Sequence, residues 1–316
     1  MPHRYATLTA AATFFLLIAG GLVTSTGSGL AVPDWPLSYG TWFPPMVGGI
    51  AYEHGHRMVA GAVGLMILAL ALWLGRIEPR HWTRRIGYTA LGAVVVQALL
   101  GGLTVLLLLP PQVSIAHACL GQAVFCLVAC LARATAPDWP ARPAVVVDQK
   151  RPAVSALALT AALLASAQLV LGAVIRHTGH AVVAHIAVAV ALGVAVAWLA
   201  ARAGSVRRSA PALWRDARRL IILVLLQLGL GAAVFMHRGS VAVRTAHVAL
   251  GALVLAQAVV TAWEAARRAP ARAGGSPRRR TLADYLELTK PRLSSLVLVT
   301  TSVGWWLGMR TAGPLW

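Results

Sequence analysis

Charge is scarce in this sequence, and negative charge scarcest. Only 12% of the 316 residues are charged, with 9 Asp or Glu against 28 Lys or Arg. That poverty excludes the charge-covered surface of a soluble domain. Cysteine is nearly missing too. Cys119, Cys126 and Cys130 fall in one apolar run, seven and four residues apart, which puts them on one helical stripe. They read as small buried packers, and no disulfide framework follows. The first apolar run ends in TSTGSG without an A-x-A-like cleavage site, so it reads as a retained helix rather than a secretory signal.

What is present is apolar length. Hydrophobic residues make up 58% of the chain. They gather in runs at 6–23, 58–74, 86–109, 113–131, 154–175, 181–201, 220–235 and 248–263, with a ninth at 293–309. Most approach the roughly 20 residues a helix needs to cross a bilayer. The predicted fold class is therefore an all-α polytopic membrane protein.

The net charge of +19 would point to nucleic acid if it were spread evenly. It is not. Arg4, the group Arg76 to Arg85, the group Arg133 to Arg151, the group Arg202 to Arg219 and the segment after Trp263 occupy alternate gaps. The other gaps hold only Arg57, Arg176, Arg238 and Arg244, with Arg310 beyond the last run. Cytoplasmic loops collect Lys and Arg, so the N-terminus is predicted inside a cell (plasma) membrane and the loop 24–52 outside. The partner of the positive charge is anionic lipid, and nucleic acid is excluded.

The chain also repeats itself. Gln97 precedes His117 by twenty positions, and Gln227 precedes His247 by twenty. GGLVTSTG at 20–27 echoes GAVIRHTG at 172–179. Runs one to four and five to eight thus read as two pseudo-symmetric four-helix bundles, a parallel internal repeat. The domains are 1–150, 151–268, and a basic linker with a ninth helix at 269–316. The halves differ in one place. Gly179 reaches His185 in six residues, but Gly27 reaches His56 in twenty-nine, through a loop rich in Pro, Gly and aromatics. Loops that long are functional more often than not.

His56, His117, His185 and His247 open the second, fourth, sixth and eighth runs, all at similar depth near the outer face. Pairs of histidines on facing helices of a bundle core are a geometry that ligates haem from both sides. The plainer alternative places each at the lipid headgroups, bonded to water. It has to account for four matched positions. Gly121 and Gly251, after two of these histidines, would let a flat macrocycle approach the backbone. Gln97, Gln168 and Gln227 read as interhelical hydrogen bonds. Arg57, Arg176, Arg244 and Arg238 are candidates for binding carboxylates such as propionates, against a reading as solvated loop residues. Glu53 stands three residues before His56, where the second half has Val182. A carboxylate beside one site only suggests chemistry there and electron handling at the other; the alternative is a residue complementing the helix dipole. His54 reads as a loop residue, and His177 and His180 as a rim of the second site.

At EHGHR, residues 53–57, the sequence resembles the haem A synthases, through an E-x-x-H-R motif of Glu53, His56 and Arg57. His117, His185 and His247 stand at that family's other histidine positions. The resemblance covers about residues 8–263. It implies an oxidoreductase that converts the C8 methyl of haem O to the formyl of haem A in two oxygenation steps. It further implies that His56 and His117 hold the substrate haem, with Glu53 catalytic. His185 and His247 would hold a haem b cofactor that relays electrons. Many members carry a cysteine pair flanking the PDWPL of the first outer loop. Val32 and Ser38 stand there, so a disulfide or thiol step at that loop is not expected, and Asp34 and Trp35 remain as anchors. The stretch 284–308 is similar to the start of protohaem IX farnesyltransferase, the haem O synthase, without its Asp-rich motifs. That implies a fused or neighbouring pathway partner and no prenyl transfer by this chain.

The main rival is a di-haem membrane electron carrier, which leaves Glu53 and the one-sided loop unexplained. A transporter would need polar groups at mid-membrane, where Ala, Leu, Val and Gly dominate. The electron donor and homo-oligomeric state are open.

Overall fold

The computed structural model describes residues 2–139, 143, 145–146 and 151–269. Among them are eight long helices: α1 (Pro2–Ser25), α2 (Gly48–Ile77), α3 (His81–Leu106), α4 (Pro111–Ala134), α5 (Val154–Thr178), α6 (Val182–Ser205), α7 (Pro211–Met236) and α8 (Val241–Arg268). The shortest has 24 residues. At about 1.5 Å per residue even that one outreaches the hydrocarbon layer. All eight are apolar enough to cross it. The chain is a multi-pass membrane protein. The expected ninth helix, the linker and the farnesyltransferase-like stretch lie outside the described residues.

Local chemistry sets the helix ends. Pro111 and Pro211 open α4 and α7, where a missing N–H costs nothing. Gly179 closes α5 in a left-handed conformation at φ 76°. Ser240 caps α8 by accepting the Val243 N–H at 3.3 Å. One boundary corrects the expectation from sequence. Helix α2 starts at Gly48, as soon as the chain has cleared Pro44 and Pro45, so the outer loop is 26–47 rather than 24–52. Glu53 and His54 are therefore helical.

Helices α1 to α4 close into a ring of neighbours, and α5 to α8 do the same; α4 and α8 meet where the rings join, with α1 on α8 and α4 on α5. The first ring is filled by Val63, Ile67, Leu70 and Leu74 of α2 against Val124, Val128 and Leu131 of α4. The second relies on small residues. Ala158, Ala161, Ala162 and Ala165 share one face of α5 and pack in one core with Ala252 and Ala256 of α8. Such residues let helix backbones approach closely where lipid offers no hydrophobic drive.

At the end of the bundle away from the outer loop, Glu264 of α8 is fully buried. It pairs with Arg133 of α4 at 2.7 Å and Arg268 at 3.3 Å. Trp139 stacks beneath Arg133 and Arg267 and against Trp263.

Candidate functional site

The four histidines stand in the opening turns of α2, α4, α6 and α8, all at the loop end of the bundle. Each imidazole faces a glycine on the preceding helix. A Cβ added at Gly20 of α1 would lie 3.1 Å from His56 Cε1, and one at Gly101 of α3 would lie 3.1 Å from His117 Cε1. At Gly172 of α5 and Gly231 of α7 the distances to His185 and His247 Cε1 are 3.5 and 3.3 Å. The rings therefore lie inside the bundles, against neighbouring helices, and not out among headgroups.

In the second ring the imidazoles of His185 and His247 are 6.4 Å apart between centroids, with planes at 62°. Two metal–imidazole bonds of about 2 Å, plus half a ring on each side, span roughly 6 Å. This pair fits bis-imidazole ligation of a single iron. In the first ring His56 and His117 are near enough to interact electrostatically.

The glutamines take the role expected of them. Gln97, Gln168 and Gln227 donate to the backbone carbonyls of His117, His185 and His247 at 2.9, 2.9 and 3.1 Å. Gly121 and Gly251, expected to admit a macrocycle, do something else. A Cβ there would come within 3.0 and 3.2 Å of the Gln97 and Gln227 amides, so these glycines make room for the glutamine side chains.

Glu53 is buried beside His56. Its Oε2 accepts the Val32 amide at 2.8 Å, and its Oε1 accepts from Arg57 at 2.6 Å. Arg57 also donates to the Asp34 and Leu37 carbonyls at 2.7 and 2.8 Å. Its guanidinium thus binds the loop. His54, read as a loop residue, is buried in α2, and its Nδ1 bonds Ser38 Oγ at 2.8 Å. Asp34 accepts the Tyr39 and Gly40 amides at 2.6 and 2.8 Å, closing a turn in which both residues have positive φ. Trp35 lies over α3 so closely that a Cβ on Gly102 would stand 2.7 Å from its ring. The loop is pinned to α2, the helix of His56, and to α3, whose Gly101 faces His117.

The second ring has no such loop. Arg176 reaches across to the Gly21 carbonyl and Ser25 Oγ of α1, both at 2.8 Å. Arg244 donates to the Ser25 carbonyl at 2.8 Å, while its Nε–H is buried without a partner. Arg244 thus satisfies the final carbonyl of α1, which has no partner within its own helix, while Arg176 binds one turn earlier and at the Ser25 hydroxyl. Arg238 is exposed and stacks on Phe235. His177 lies within electrostatic range of His117, and His180 is exposed. The described residues contain no cluster of three or more His, Cys, Asp or Glu arranged for a bare metal ion.

Residues 50–186 match a family model described as "Cytochrome oxidase assembly protein". The match takes in Glu53, His56, Arg57, His117 and His185. Among curated proteins, "Heme A synthase" of Bacillus licheniformis is 38% identical over 103 residues, 31% of this chain and 33% of that protein. Over part of its length the chain is similar to proteins named haem A synthase. The Geobacillus kaustophilus "Heme A synthase" is 36% identical over 107 residues, 32% of this chain and 33% of that protein. That of Symbiobacterium thermophilum is 31% identical over 173 residues, 51% of this chain and 54% of that haem A synthase. The chain thus spans between a third and about half the length of these haem A synthases.

Proposed function

We propose that this protein is a haem A synthase, oxidising the C8 methyl of haem O to a formyl group. The observation that carries the reading is the contrast between the two histidine pairs. One lies beneath a pinned loop next to a buried carboxylate; the other is a facing pair with neither. The first ring, with His56, His117 and Glu53, is assigned to substrate haem. The second, with His185 and His247, is assigned to a haem b cofactor that supplies one-electron redox chemistry.

This chain's own residues orient, shield and balance charge. His56 and His117 would hold the substrate from both faces. Trp35 and the loop backbone exclude water above them. Glu53 brings the single carboxylate of the site. With both oxygens engaged it acts by charge and position. The unspent Nε–H of Arg244 suits a propionate, and Arg176 and Arg238 extend that cationic rim. Arg57 is committed to the loop, so we assign it to holding Glu53 in place. The parallel sequence repeat and the matching ring contacts support pseudo-two-fold bundles, with a cytoplasmic N-terminus and the haem sites toward the outer face of the plasma membrane. Haem O synthase, fused or neighbouring, is the natural supplier of substrate, and a separate electron donor is required.

The test is chromatography of haems extracted from cells supplied with haem O. Hydroxylated and formyl haem are expected with the unmodified protein, and strong loss of both with Glu53→Ala. His185→Ala or His247→Ala should empty one site and leave the helical fold intact. Finding protohaem alone, beside an ample haem O supply, would replace this reading with the electron carrier.

A further inference from the structure

The glutamine and glycine that meet each histidine belong to one motif. Gln97 and Gly101 of α3, Gln168 and Gly172 of α5, and Gln227 and Gly231 of α7 are each four residues apart. A spacing of four stacks two positions on one helix face. The glutamine therefore reaches the histidine's carbonyl while the glycine, one turn on, leaves space for its ring. The repeating unit is thus a helix pair, a Q-x-x-x-G helix followed by a histidine helix. It occurs intact three times.

The fourth copy is broken. In α1, Leu16 stands four residues before Gly20, the glycine that faces His56. Leucine has no donor, and among the described residues no side-chain hydrogen bond ties the His56 carbonyl to α1. Instead, the turn of α2 around His56 is gripped from outside. Three of its residues bond the outer loop: Glu53 to the Val32 amide, His54 to Ser38 Oγ, and Arg57 to the Asp34 and Leu37 carbonyls. Of these four histidines, the one without a glutamine is the one with a loop.

We propose that Gln97, Gln168 and Gln227 are positioning residues for His117, His185 and His247, and that loop 26–47 does this work for His56 through Glu53, His54 and Arg57. The inference rests on the histidines being haem ligands. Its consequence is an asymmetry of control. Three ligands are set by the membrane-embedded scaffold, and one is set by a segment outside it. Displacing the loop would shift one ligand of the first site without disturbing the second. A substrate site that must load and release gains from such a ligand, whereas a resident cofactor gains from fixed ones.

The experiment uses the full chain reconstituted with protohaem, which serves as the probe for both sites. Binding is followed by optical titration, and the two low-spin signals are resolved by electron paramagnetic resonance. Outer partners of metal-bound histidines typically change affinity by about 10- to 100-fold. Gln168→Leu is expected to weaken one site by that factor and leave the other unchanged. Glu53→Ala is expected to weaken the other site alone, and adding Leu16→Gln to it should recover much of the loss. Gly231→Ala provides a second, milder probe of the second site. Gly229→Ala is its control, because a Cβ there meets nothing within 4 Å. Helical circular dichroism reports folding in each case. If Glu53→Ala leaves both signals untouched, or Gln168→Leu weakens both equally, the proposal is overturned. Failure of the unmodified chain to bind protohaem at all would instead overturn the haem reading beneath it.

Discussion

Asp34 shows how a single residue organises the outer loop. The Gly40 amide, with those of Tyr39 and Asp34 itself and the nearby Arg57 charge, holds its carboxyl below the usual carboxylate range. A depressed folded value means that the contribution is complete above the ordinary carboxylate pKa of about 4 and fades as pH falls through the lower folded value. The Asp34 turn should therefore survive mild acid and loosen only below the usual carboxylate range. Limited proteolysis across a pH series would check this, and Asp34→Asn should remove the acid dependence. Glu53 and the four histidines, read from sequence as site groups, stand in the opening turns of α2, α4, α6 and α8. The partners of Glu53, His54 and Arg57 were not legible, because each bond joins positions 16 to 23 residues apart across an irregular loop. No periodicity links such pairs. The Q-x-x-x-G motif was legible in principle. Three copies stand in the sequence, but the meaning of the glycine needs the imidazole beside it.

At the scale of the element, each helix is a hydropathy run with a local start and stop. That is why most helix ends fall within a few residues of a run, whereas α2, α7 and α8 start ten, nine and seven residues before theirs. Those first turns carry charged or polar residues, such as Glu53, His54, His56 and Arg57 in α2, Arg215 and Asp216 in α7, and Arg244 in α8, and escape a hydropathy window. Helix pairing is held by shape. Ala161 of α5 is completely buried in the alanine-rich core shared with α8. Ala161→Leu would add three carbons where there is no space, and overpacking of this kind costs about 1–3 kcal/mol. Equilibrium unfolding in mixed detergent micelles should show that loss. Leu159 and Leu163 of the same helix already carry that bulk on its exposed side, so the effect belongs to the buried face.

For the whole molecule, the two rings are tied together at opposite ends by different chemistry. At the loop end, Arg176 and Arg244 of the second ring bind the Gly21 and Ser25 carbonyls in the last two turns of α1. At the far end, buried Glu264 of α8 meets Arg133 of α4. Glu264→Gln keeps the volume but leaves Arg133 and Arg268 without their buried counter-charge. Removing one partner of a buried pair costs about 3–5 kcal/mol, so the variant should unfold at markedly lower denaturant or temperature. Retention of full stability would show that water or lipid already neutralises the cluster. The sequence by itself determined the number of the described spanning helices, the sequence repeat and the four histidine positions near their starts. Those properties follow from hydropathy and spacing along one chain, which the bilayer reads locally. Only the tertiary structure decided which glycine seats each ring, that the loop closes on Glu53 and Arg57, and that a buried carboxylate joins the halves. Such contacts depend on distances between segments far apart in sequence, and no local pattern encodes them.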